Sequence, residues 1–471
     1  VYTMLDKIKE WEKHYHKIVF IYSLLFAIYT LFGRVTVLHG LVEHTINGFV
    51  FVFAGIFGAL LFGIDLLFYR NFMKMKYYLV FVAFIAAAAV SSILNVAYGV
   101  RSNLTTLIWL TVQMILLTTM GHLFDREKYM KWLTWFFRVS GVIWGLAAAG
   151  SLYQYCFVPG FTIYMNERYI RQSFVENRLF GVFIDPNLGA FVGFLVMWGM
   201  VFLMWEAKKR QSRYVGLVKV LAIINIVLQT IYIILSGSRS TEVCMIASIS
   251  YGLIFLLIKK YQKKQCPLLV KGLSYVAVPI AVAVVLLGSF WGIKKGITTF
   301  VTNMSTQVIH EKDELERKDI EGDASNNRMD IWKGYLELWK DKPVFGLSPR
   351  NCWNYADKEH PNGYLAQHHY DVHNAYVAVL ASMGVVGFAI LLVIMFLVAK
   401  YLIQKTVNPD DTDMVMFIAI QFILNIAIFI VFYPGIFFTN GIDTVLFWPA
   451  IGYLLQSAGS KNKMSIQSTA E

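Results

Sequence analysis

The chain has 471 residues, of which 57% are hydrophobic and 15% are charged, with a formal net charge of +12. Soluble domains carry roughly a quarter charged residues, so this composition excludes an ordinary soluble fold and indicates a polytopic membrane protein. The Lys and Arg residues fall in short clusters between apolar runs rather than in one long basic patch, so we expect no nucleic-acid partner.

Twelve apolar runs are long enough to cross about 30 Å of hydrocarbon as helices. They are 17–35, 48–69, 77–98, 104–123, 131–156, 181–206, 214–236, 239–258, 270–291, 374–399, 413–433 and 441–458. The basic clusters occupy alternate connections, which predicts that both termini are cytoplasmic. The sequence therefore predicts an all-α fold in the cytoplasmic (inner) membrane.

We divide the chain into spans one to nine (1–291), a large extracytoplasmic loop (292–373), and spans ten to twelve with a short cytoplasmic tail (374–471). We expect no strands outside the spans and no internal repeat. Within the loop, segment 328–341 has apolar residues at helical spacing, which predicts an amphipathic helix. This helix is interpreted either as a lid over a lipid-facing cleft or as a helix packed on the bundle for stability alone.

Two arginines are placed at the predicted outer rim of the membrane. Arg239 opens span eight in the sequence SGSRS, and Arg178 precedes span six in NRLFGVFIDPN. A guanidinium is a permanently charged planar fork that suits phosphate oxygens, and a helix N-terminus adds a favourable dipole. We predict an anion site there, although a rim arginine also serves as a simple interfacial anchor.

The end of the loop carries His373, Asn374 and Tyr376 in the sequence HNAY. A neutral imidazole at this place can accept the proton of an attacking hydroxyl, whereas a histidine at a helix start also serves as a capping residue. His368, His369 and Asp371 stand close by, but their spacing matches no established zinc pattern, so we assign no metal and no cofactor.

The tripeptide Asp185-Pro186-Asn187 interrupts the predicted sixth span. Polar side chains at membrane depth are costly unless they line a cavity or find partners, so we predict a kinked helix that lines the site. A capped kink without a ligand is the alternative. Cys156 and Cys352 both fall on the predicted outer side, and we expect unpaired thiols although a disulfide is conceivable.

The ordered set of NRLFGVFIDPN, SGSRS, NRMDIWKGYLELWKDKPVFGLSPRN and HNAY across twelve predicted spans resembles the O-antigen ligase and polymerase superfamily. The resemblance covers essentially the whole chain. It implies a GT-C type glycosyltransferase that takes a glycan from undecaprenyl diphosphate and passes it to an acceptor sugar hydroxyl. It also implies that the enzyme needs no nucleotide sugar and, in the ligases, no metal ion.

Carried over from the resemblance, Arg178 and Arg239 match the diphosphate-binding arginines and His373 the loop-end catalytic histidine. Arg328 matches the arginine that opens the loop helix, and it joins Asp185, Asn187, Asn374 and Tyr376 as an expected substrate-binding residue. Arg168 and Arg171 stand near enough to take the place of Arg178.

We expect metal-independent transfer with inversion of the anomeric centre. A polymerase is slightly favoured over a ligase, because no motif marks a specific acceptor site. A lipid-linked glycan transporter is the alternative, because twelve spans also suit a flippase. A non-catalytic partner within a polysaccharide-assembly machine is a third interpretation.

Overall fold

The computed structural model describes residues 2–41, 44–165, 168–263, 267–304 and 327–457. The basic tail at Lys461 and Lys463, Cys266 and loop residues 305–326 lie outside these ranges. Eighteen helices and three strands are present in the described part of the chain.

The helices of the first half of the chain are α1 (Tyr2–Phe32), α2 (Thr36–Leu41), α3 (His44–Ile64), α4 (Asn71–Lys74), α5 (Tyr78–Leu94), α6 (Arg101–Thr111), α7 (Thr118–Leu123), α8 (Arg126–Phe157) and α9 (Pro186–Lys209). Those of the second half are α10 (Val215–Ser236), α11 (Arg239–Lys263), α12 (Leu268–Met304), α13 (Arg328–Asp341), α14 (Cys352–Glu359), α15 (Tyr364–His368), α16 (Ala375–Val407), α17 (Met414–Phe429) and α18 (Ile442–Ser457). π-Helical turns at Asp65–Tyr69 and Val112–Leu117 extend α3 and join α6 to α7.

Nine helical segments in the described ranges are long and apolar enough to cross a membrane. They are Glu10–Phe32, Ile46–Tyr69, Arg101–Leu123, Arg126–Phe157, Pro186–Lys209, Val215–Ser236, Arg239–Lys263, Leu268–Ile297 and Ala375–Val407. The shorter apolar helices α5 and α17, together with α18, occupy the positions of the other three predicted spans. An all-α polytopic membrane fold is confirmed, and the count of twelve spans stays a prediction.

The centre of the bundle is formed by α9, which packs against α8, α10, α11 and α17, and by α18, which packs against α7 and α17. Every residue from Gly441 to Leu455 is buried. A side chain at Gly121 would come within 2.0 Å of the Pro449 carbonyl oxygen, and one at Gly452 within 1.9 Å of that of Thr118. The two glycines therefore permit the close approach of α7 and α18, as small residues do between membrane helices.

A three-stranded antiparallel sheet follows α8, so the expectation of no strands outside the spans is wrong. Its strands are β1 (Phe161–Met165), β2 (Arg168–Val175) and β3 (Arg178–Gly181). Glu176 and Asn177 both have positive φ angles, of 51° and 56°, and form a two-residue turn between β2 and β3. Positive φ at both central positions matches the right-handed twist of the flanking strands, and this turn places Arg178 at the start of β3.

The helix α12 continues past Gly292, the predicted start of the large loop, to Met304. The extension contacts the sheet, since Lys294 Nζ donates a hydrogen bond to the Asn177 carbonyl oxygen at 2.8 Å. The end of α12 therefore supports the connection between α8 and α9.

The tenth span, α16, is interrupted at Gly384, which has φ 62° and ψ −166°. The amides of Leu347 and Ser348 donate to the free carbonyl oxygens of Ala381 and Ser382 at 2.9 and 2.8 Å. On the other side of the break, the amides of Val385 and Val386 donate to the carbonyl oxygens of Pro343 and Val344 at 2.9 and 3.2 Å. A membrane helix can tolerate a break when its freed backbone groups find partners, and here the large loop supplies all four.

The amphipathic helix predicted for 328–341 is α13, with the same bounds. Its apolar stripe of Ile331, Tyr335 and Leu338 is buried, and α13 packs on α16. We call the end of the bundle that carries the sheet, the Ser236–Arg239 turn and α13 to α15 the loop face.

Candidate active site at the loop face

Four helices begin around one cavity of about 260 Å³ at the loop face. We call it the helix-start cavity. It is lined by Asp185, Asn187, Ser240, Asn327, Arg328, Ile331, Tyr370, His373, Phe429, Phe432 and Tyr433. The first residues of α9, α11 and α13 are Pro186, Arg239 and Arg328, each in the lining or next to a lining residue, and α16 begins at Ala375, two residues after His373. Helix N-termini carry partial positive charge, so four together favour an anionic ligand.

Arg178 links two of the segments that the sequence singled out. Its Nε donates to the Ser236 carbonyl oxygen at 3.0 Å, and its Nη2 donates to Asn187 Oδ1 at 2.6 Å. The side chain is only 9% exposed and lies 5.8 Å from the Phe180 ring centroid. Arg178 therefore stands behind the cavity wall and orients Asn187, whose side chain lines the cavity.

Arg239 is the first residue of α11 and is exposed at the loop face. Gly237 ends α10 with φ 59°, a left-handed conformation that glycine adopts at no steric cost, and this makes the connection short. The hydroxyl groups of Ser238 and Thr241 share a hydrogen bond of 2.9 Å beside it, and Ser240 lines the cavity. The SGSRS segment thus forms a helix start with small hydroxylated residues, as predicted.

Arg328 opens α13 and brings a second guanidinium towards Arg239. Burial and the positive charge of Arg239 lower the pKa of Arg328, while Asp185 acts in the opposite direction. Its guanidinium carbon lies 5.9 Å from the Phe432 ring centroid. Holding the two positive guanidinium groups near each other costs free energy, and an anion bound between them would offset that cost.

Asp185 and Asn187 line the cavity, but the predicted kink within span six is wrong. Asp185 has extended backbone angles and is the N-cap of α9, and its Oδ1 accepts the Asn187 amide at 2.8 Å. Pro186 occupies the first turn, where its missing N–H leaves no hydrogen bond unmade. The apolar residues before Asp185 belong to β3 and to an extended segment, since Ile184 N donates to the Arg34 carbonyl oxygen at 3.1 Å.

His373 lies on a short segment, 370–373, that α13 and α14 hold in place. Tyr335 Oη donates to the Tyr370 carbonyl oxygen at 3.1 Å, and Trp332 Nε1 donates to that of Val372 at 2.9 Å. His373 itself has a positive φ of 46°, which is uncommon outside glycine and is typical of residues held by their surroundings. Burial and Arg328 lower the pKa of His373, while Asp371 and Asp185 raise it. A lowered pKa keeps the imidazole neutral at neutral pH, as a proton acceptor must be.

Asn374 and Tyr376, the other residues of HNAY, do not line the helix-start cavity. Asn374 Oδ1 accepts the amides of Tyr376 and Val377 at 2.9 and 3.1 Å and so caps α16. The Tyr376 hydroxyl donates to the Ala427 carbonyl oxygen at 3.0 Å and ties α16 to α17. Their assignment to substrate binding stays a prediction, and their contacts favour positioning of His373.

One further arginine, Arg34, was missed by the sequence interpretation. Burial acts to lower the pKa of Arg34, but Tyr433, Asp443 and Asp185 outweigh it and raise that pKa above the usual value. Two of these three groups, Tyr433 and Asp185, line the cavity. The only sequence signal was an arginine at the end of the first span, the same signal that identified Arg178 and Arg239.

The histidines near His373 make local contacts. His369 Nε2 lies 2.7 Å from Asp357 Oδ1, and His368 Nδ1 lies 2.9 Å from the Tyr364 carbonyl oxygen. Within the ranges that the structure covers, no group of three or more His, Cys, Asp or Glu side chains could hold a metal ion. Cys156 and Cys352 are free thiols, so the disulfide considered between them is not formed.

Comparison with known protein families shows that residues 224–392 are similar to the family described as O-antigen ligase. The resemblance to the O-antigen ligase and polymerase superfamily is thereby confirmed, and with it a membrane glycosyltransferase-like role in surface polysaccharide synthesis. No curated protein matches the chain.

The matched residues include Arg239, Arg328 and His373, whereas Arg178 and Asp185 lie outside them. Asp185 lines the same cavity at the start of α9, and Arg178 contacts the lining residue Asn187 from the sheet. The candidate site therefore combines matched residues with the segment immediately after β2.

Proposed function

We propose that the protein transfers a glycan from undecaprenyl diphosphate to an acceptor sugar hydroxyl at the outer face of the cytoplasmic membrane. The observation that carries the proposal is that Arg328 and His373 line one cavity at which helices begin, while Arg239, next to the lining residue Ser240, is near enough to lower the pKa of Arg328. This orientation places both termini in the cytoplasm and the loop face outside, in agreement with the distribution of basic clusters.

In the proposed reaction, the acceptor hydroxyl oxygen attacks the anomeric carbon of the donor glycan. A new C–O bond forms as the bond from that carbon to the diphosphate oxygen breaks, and the electron pair leaves with the diphosphate. His373 accepts the hydroxyl proton, for which its lowered pKa is suited. A single displacement of this kind inverts the anomeric centre.

The arginines act on the leaving group. Negative charge accumulates on the diphosphate as the glycosidic bond breaks, and preorganised cations aimed at developing charge are usually the largest electrostatic contribution to catalysis. Arg239 and Arg328 supply such cations, and the N-termini of α9 and α11 add their dipoles. Because these groups neutralise the diphosphate, the reaction is proposed to proceed without a metal ion.

The test is a transfer assay with the purified full chain, a short-chain undecaprenyl-diphosphate oligosaccharide and EDTA. Arg239→Ala is expected to lower the transfer rate about 10²- to 10³-fold, and His373→Ala about 10²- to 10⁴-fold. Matched controls are Arg171→Ala and His368→Ala, two exposed residues of the same types on the same face that do not line the cavity.

Retained activity in Arg239→Ala or His373→Ala would overturn the assignment of the site. A wild-type protein that is inert in this assay but moves lipid-linked glycan across vesicle membranes would favour the transporter instead. An unchanged anomeric configuration between donor and product would contradict a single displacement.

A further inference from the structure

A second cavity lies on the other side of the segment that carries His373. We call it the loop cavity. Its volume is about 510 Å³, within the range of about 300 to 1,000 Å³ that small-molecule sites occupy. Asp371 and Val372 line the loop cavity, whereas Tyr370 and His373 line the helix-start cavity. The two cavities therefore share the 370–373 segment as a wall.

The charged residues that line the loop cavity are Arg101, Arg350 and Asp371. Arg350 Nη2 donates to the Phe438 carbonyl oxygen at 2.7 Å and its Nε to Thr106 Oγ1 at 3.3 Å, so neutral groups fix its guanidinium. Asp371 acts on Arg350 at longer range, raising a pKa that burial lowers. In the described part of the chain neither arginine forms an ion pair, and the cavity keeps an excess of positive charge.

Two aromatic side chains, Tyr335 and Trp353, line the same cavity. Trp353 Nε1 donates to the Tyr335 hydroxyl at 3.1 Å and to the Tyr370 carbonyl oxygen at 3.3 Å, and this fixes the orientation of the indole. Trp353 nevertheless remains 37% exposed. An immobilised aromatic ring beside charged groups provides an apolar platform for a sugar ring next to polar contacts for its substituents.

The walls of the loop cavity are fixed to each other by asparagine side chains. Asn103 Nδ2 donates to Ser348 Oγ at 3.0 Å, and its Oδ1 accepts the Arg350 amide at 3.1 Å. Asn351 Nδ2 donates to the Asn95 carbonyl oxygen at 3.0 Å. These bonds hold the loop residues against the ends of α5 and α6 and so preorganise the cavity.

We propose that the loop cavity binds the acceptor glycan and selects one that carries a carboxylate or phosphate group. This inference rests on the proposed transferase function, because it takes the helix-start cavity as the site of the donor diphosphate. The planar guanidinium groups of Arg101 and Arg350 suit a planar carboxylate or a tetrahedral phosphate, and Trp353 would pack against the sugar ring. To react, the acceptor hydroxyl would extend past the shared 370–373 segment to reach His373 in the helix-start cavity.

The test measures acceptor binding without the donor, by titration calorimetry on the purified full chain. The probes are trisaccharides bearing glucuronate, galacturonate or phosphate, each compared with a neutral counterpart such as the carboxyl-reduced sugar. At least one anionic probe is expected to bind about ten-fold more tightly than its counterpart, as one charge-assisted contact would give. Arg101→Gln and Arg350→Gln are expected to abolish that difference, and Lys340→Gln, which removes a charge from the exposed side of α13, is expected to retain it.

Arg101 is the exposed member of the pair, so Arg101→Gln remains informative if Arg350→Gln does not fold. Equal binding of every anionic and neutral pair, or no binding of any probe, would overturn the proposal. So would a preference that survives in both arginine variants.

A further binding experiment tests whether the loop cavity holds the acceptor glycan or the donor's own glycan. Undecaprenyl diphosphate without a sugar is added before the anionic trisaccharide. The trisaccharide is expected to bind with unchanged affinity, because the two ligands occupy different cavities. Displacement of the trisaccharide by glycan-bearing donor would place the donor's own glycan in the loop cavity and contradict the acceptor assignment. Binding is measured in the absence of transfer, so an inactive enzyme with selective binding would refute the transferase proposal while leaving the anion preference standing.

Discussion

The helix-start cavity and the loop cavity share a wall but are built differently. The first lies among the starts of long helices, where the positive charges of Arg239 and Arg328 would lower the cost of holding an anion. The second is lined largely by loop residues and helix ends, and its Arg350 is fixed by neutral partners. The difference fits the proposed division of labour, in which the helix-start cavity binds the leaving diphosphate and the loop cavity determines which acceptor enters.

After Arg239→Ala and His373→Ala, the largest effect on the helix-start cavity is expected for Arg178→Ala. The change removes the hydrogen bonds to Asn187 and to the Ser236 carbonyl oxygen, so that the cavity wall loses its support. We expect transfer to fall about 10²-fold and the unfolding free energy to fall by about 1–3 kcal/mol. Steady-state kinetics and thermal unfolding measure the two effects.

Arg178→Lys should be as inactive as Arg178→Ala. A lysine ammonium group cannot replace the planar guanidinium, which donates hydrogen bonds to both Asn187 Oδ1 and the Ser236 carbonyl oxygen. Arg171→Ala should leave the rate within about two-fold, since Arg171 pairs with Glu176 at 2.9 Å on the exposed side of the sheet. A large loss in Arg171→Ala and none in Arg178→Ala would mean that Arg171 holds the role assigned to Arg178.

The second effect concerns pH. The reaction needs neutral His373, so activity should fall as pH drops through the pKa of His373, which lies below its usual value. The charge of Arg328 contributes to this lowering, so Arg328→Gln should raise that pKa and move the acidic limb of the kcat/KM profile to higher pH.

Asp185 acts on His373 with the opposite sign. Asp185→Asn keeps an N-cap for α9 but removes the negative charge, so the acidic limb should move to lower pH. Shifts of both variants in the same direction would show that the limb reports another group.

A smaller effect is expected at the loop cavity. Trp353→Ala should raise the acceptor KM several-fold and leave the donor KM unchanged, because an aromatic contact contributes about 0.5–1.5 kcal/mol. Initial rates at varied donor and acceptor concentrations separate the two constants. An equal change in both would indicate that the substitution disturbs the shared wall, and Trp353→Phe provides the control that retains the ring.

The smallest effect is expected for Tyr376→Phe. The hydroxyl bonds to the Ala427 carbonyl oxygen, away from the helix-start cavity, so transfer should stay within about two-fold while stability falls by about 1 kcal/mol. A ten-fold loss of activity with unchanged stability would instead support the predicted contact of Tyr376 with the substrate.

Periodicity and charge predicted much of the architecture. The apolar stripe of α13 predicted a helix over 328–341, and the basic clusters on alternate connections assigned the turn that carries Arg239 to the opposite, outer side. The sheet was missed because its strands contain charged residues and because the Glu176-Asn177 turn between β2 and β3 lacks glycine. The segment before Asp185 was assigned to a helix because hydropathy does not distinguish a short buried strand from a buried helical segment.

Other features depend on contacts between distant parts of the chain. Arg34 meets Asp443 and Tyr433 only after the first and last spans have packed together. The break in α16 requires the partners supplied by residues 343–348, and nothing around Gly384 in the sequence distinguishes it from a glycine inside a continuous span.

The backbone contacts at the Gly384 interruption limit how residues 343–348 can move. Four backbone hydrogen bonds make residues 343–348 a structural insert in the tenth span, and side chains at Gly384 and Gly346 would collide with the opposite backbone at 2.3 and 2.5 Å. This segment therefore cannot swing on a hinge as a lid would. In the proposed reaction, the loop would stay at a constant height on α16, and a lipid-borne donor would meet His373 at one level.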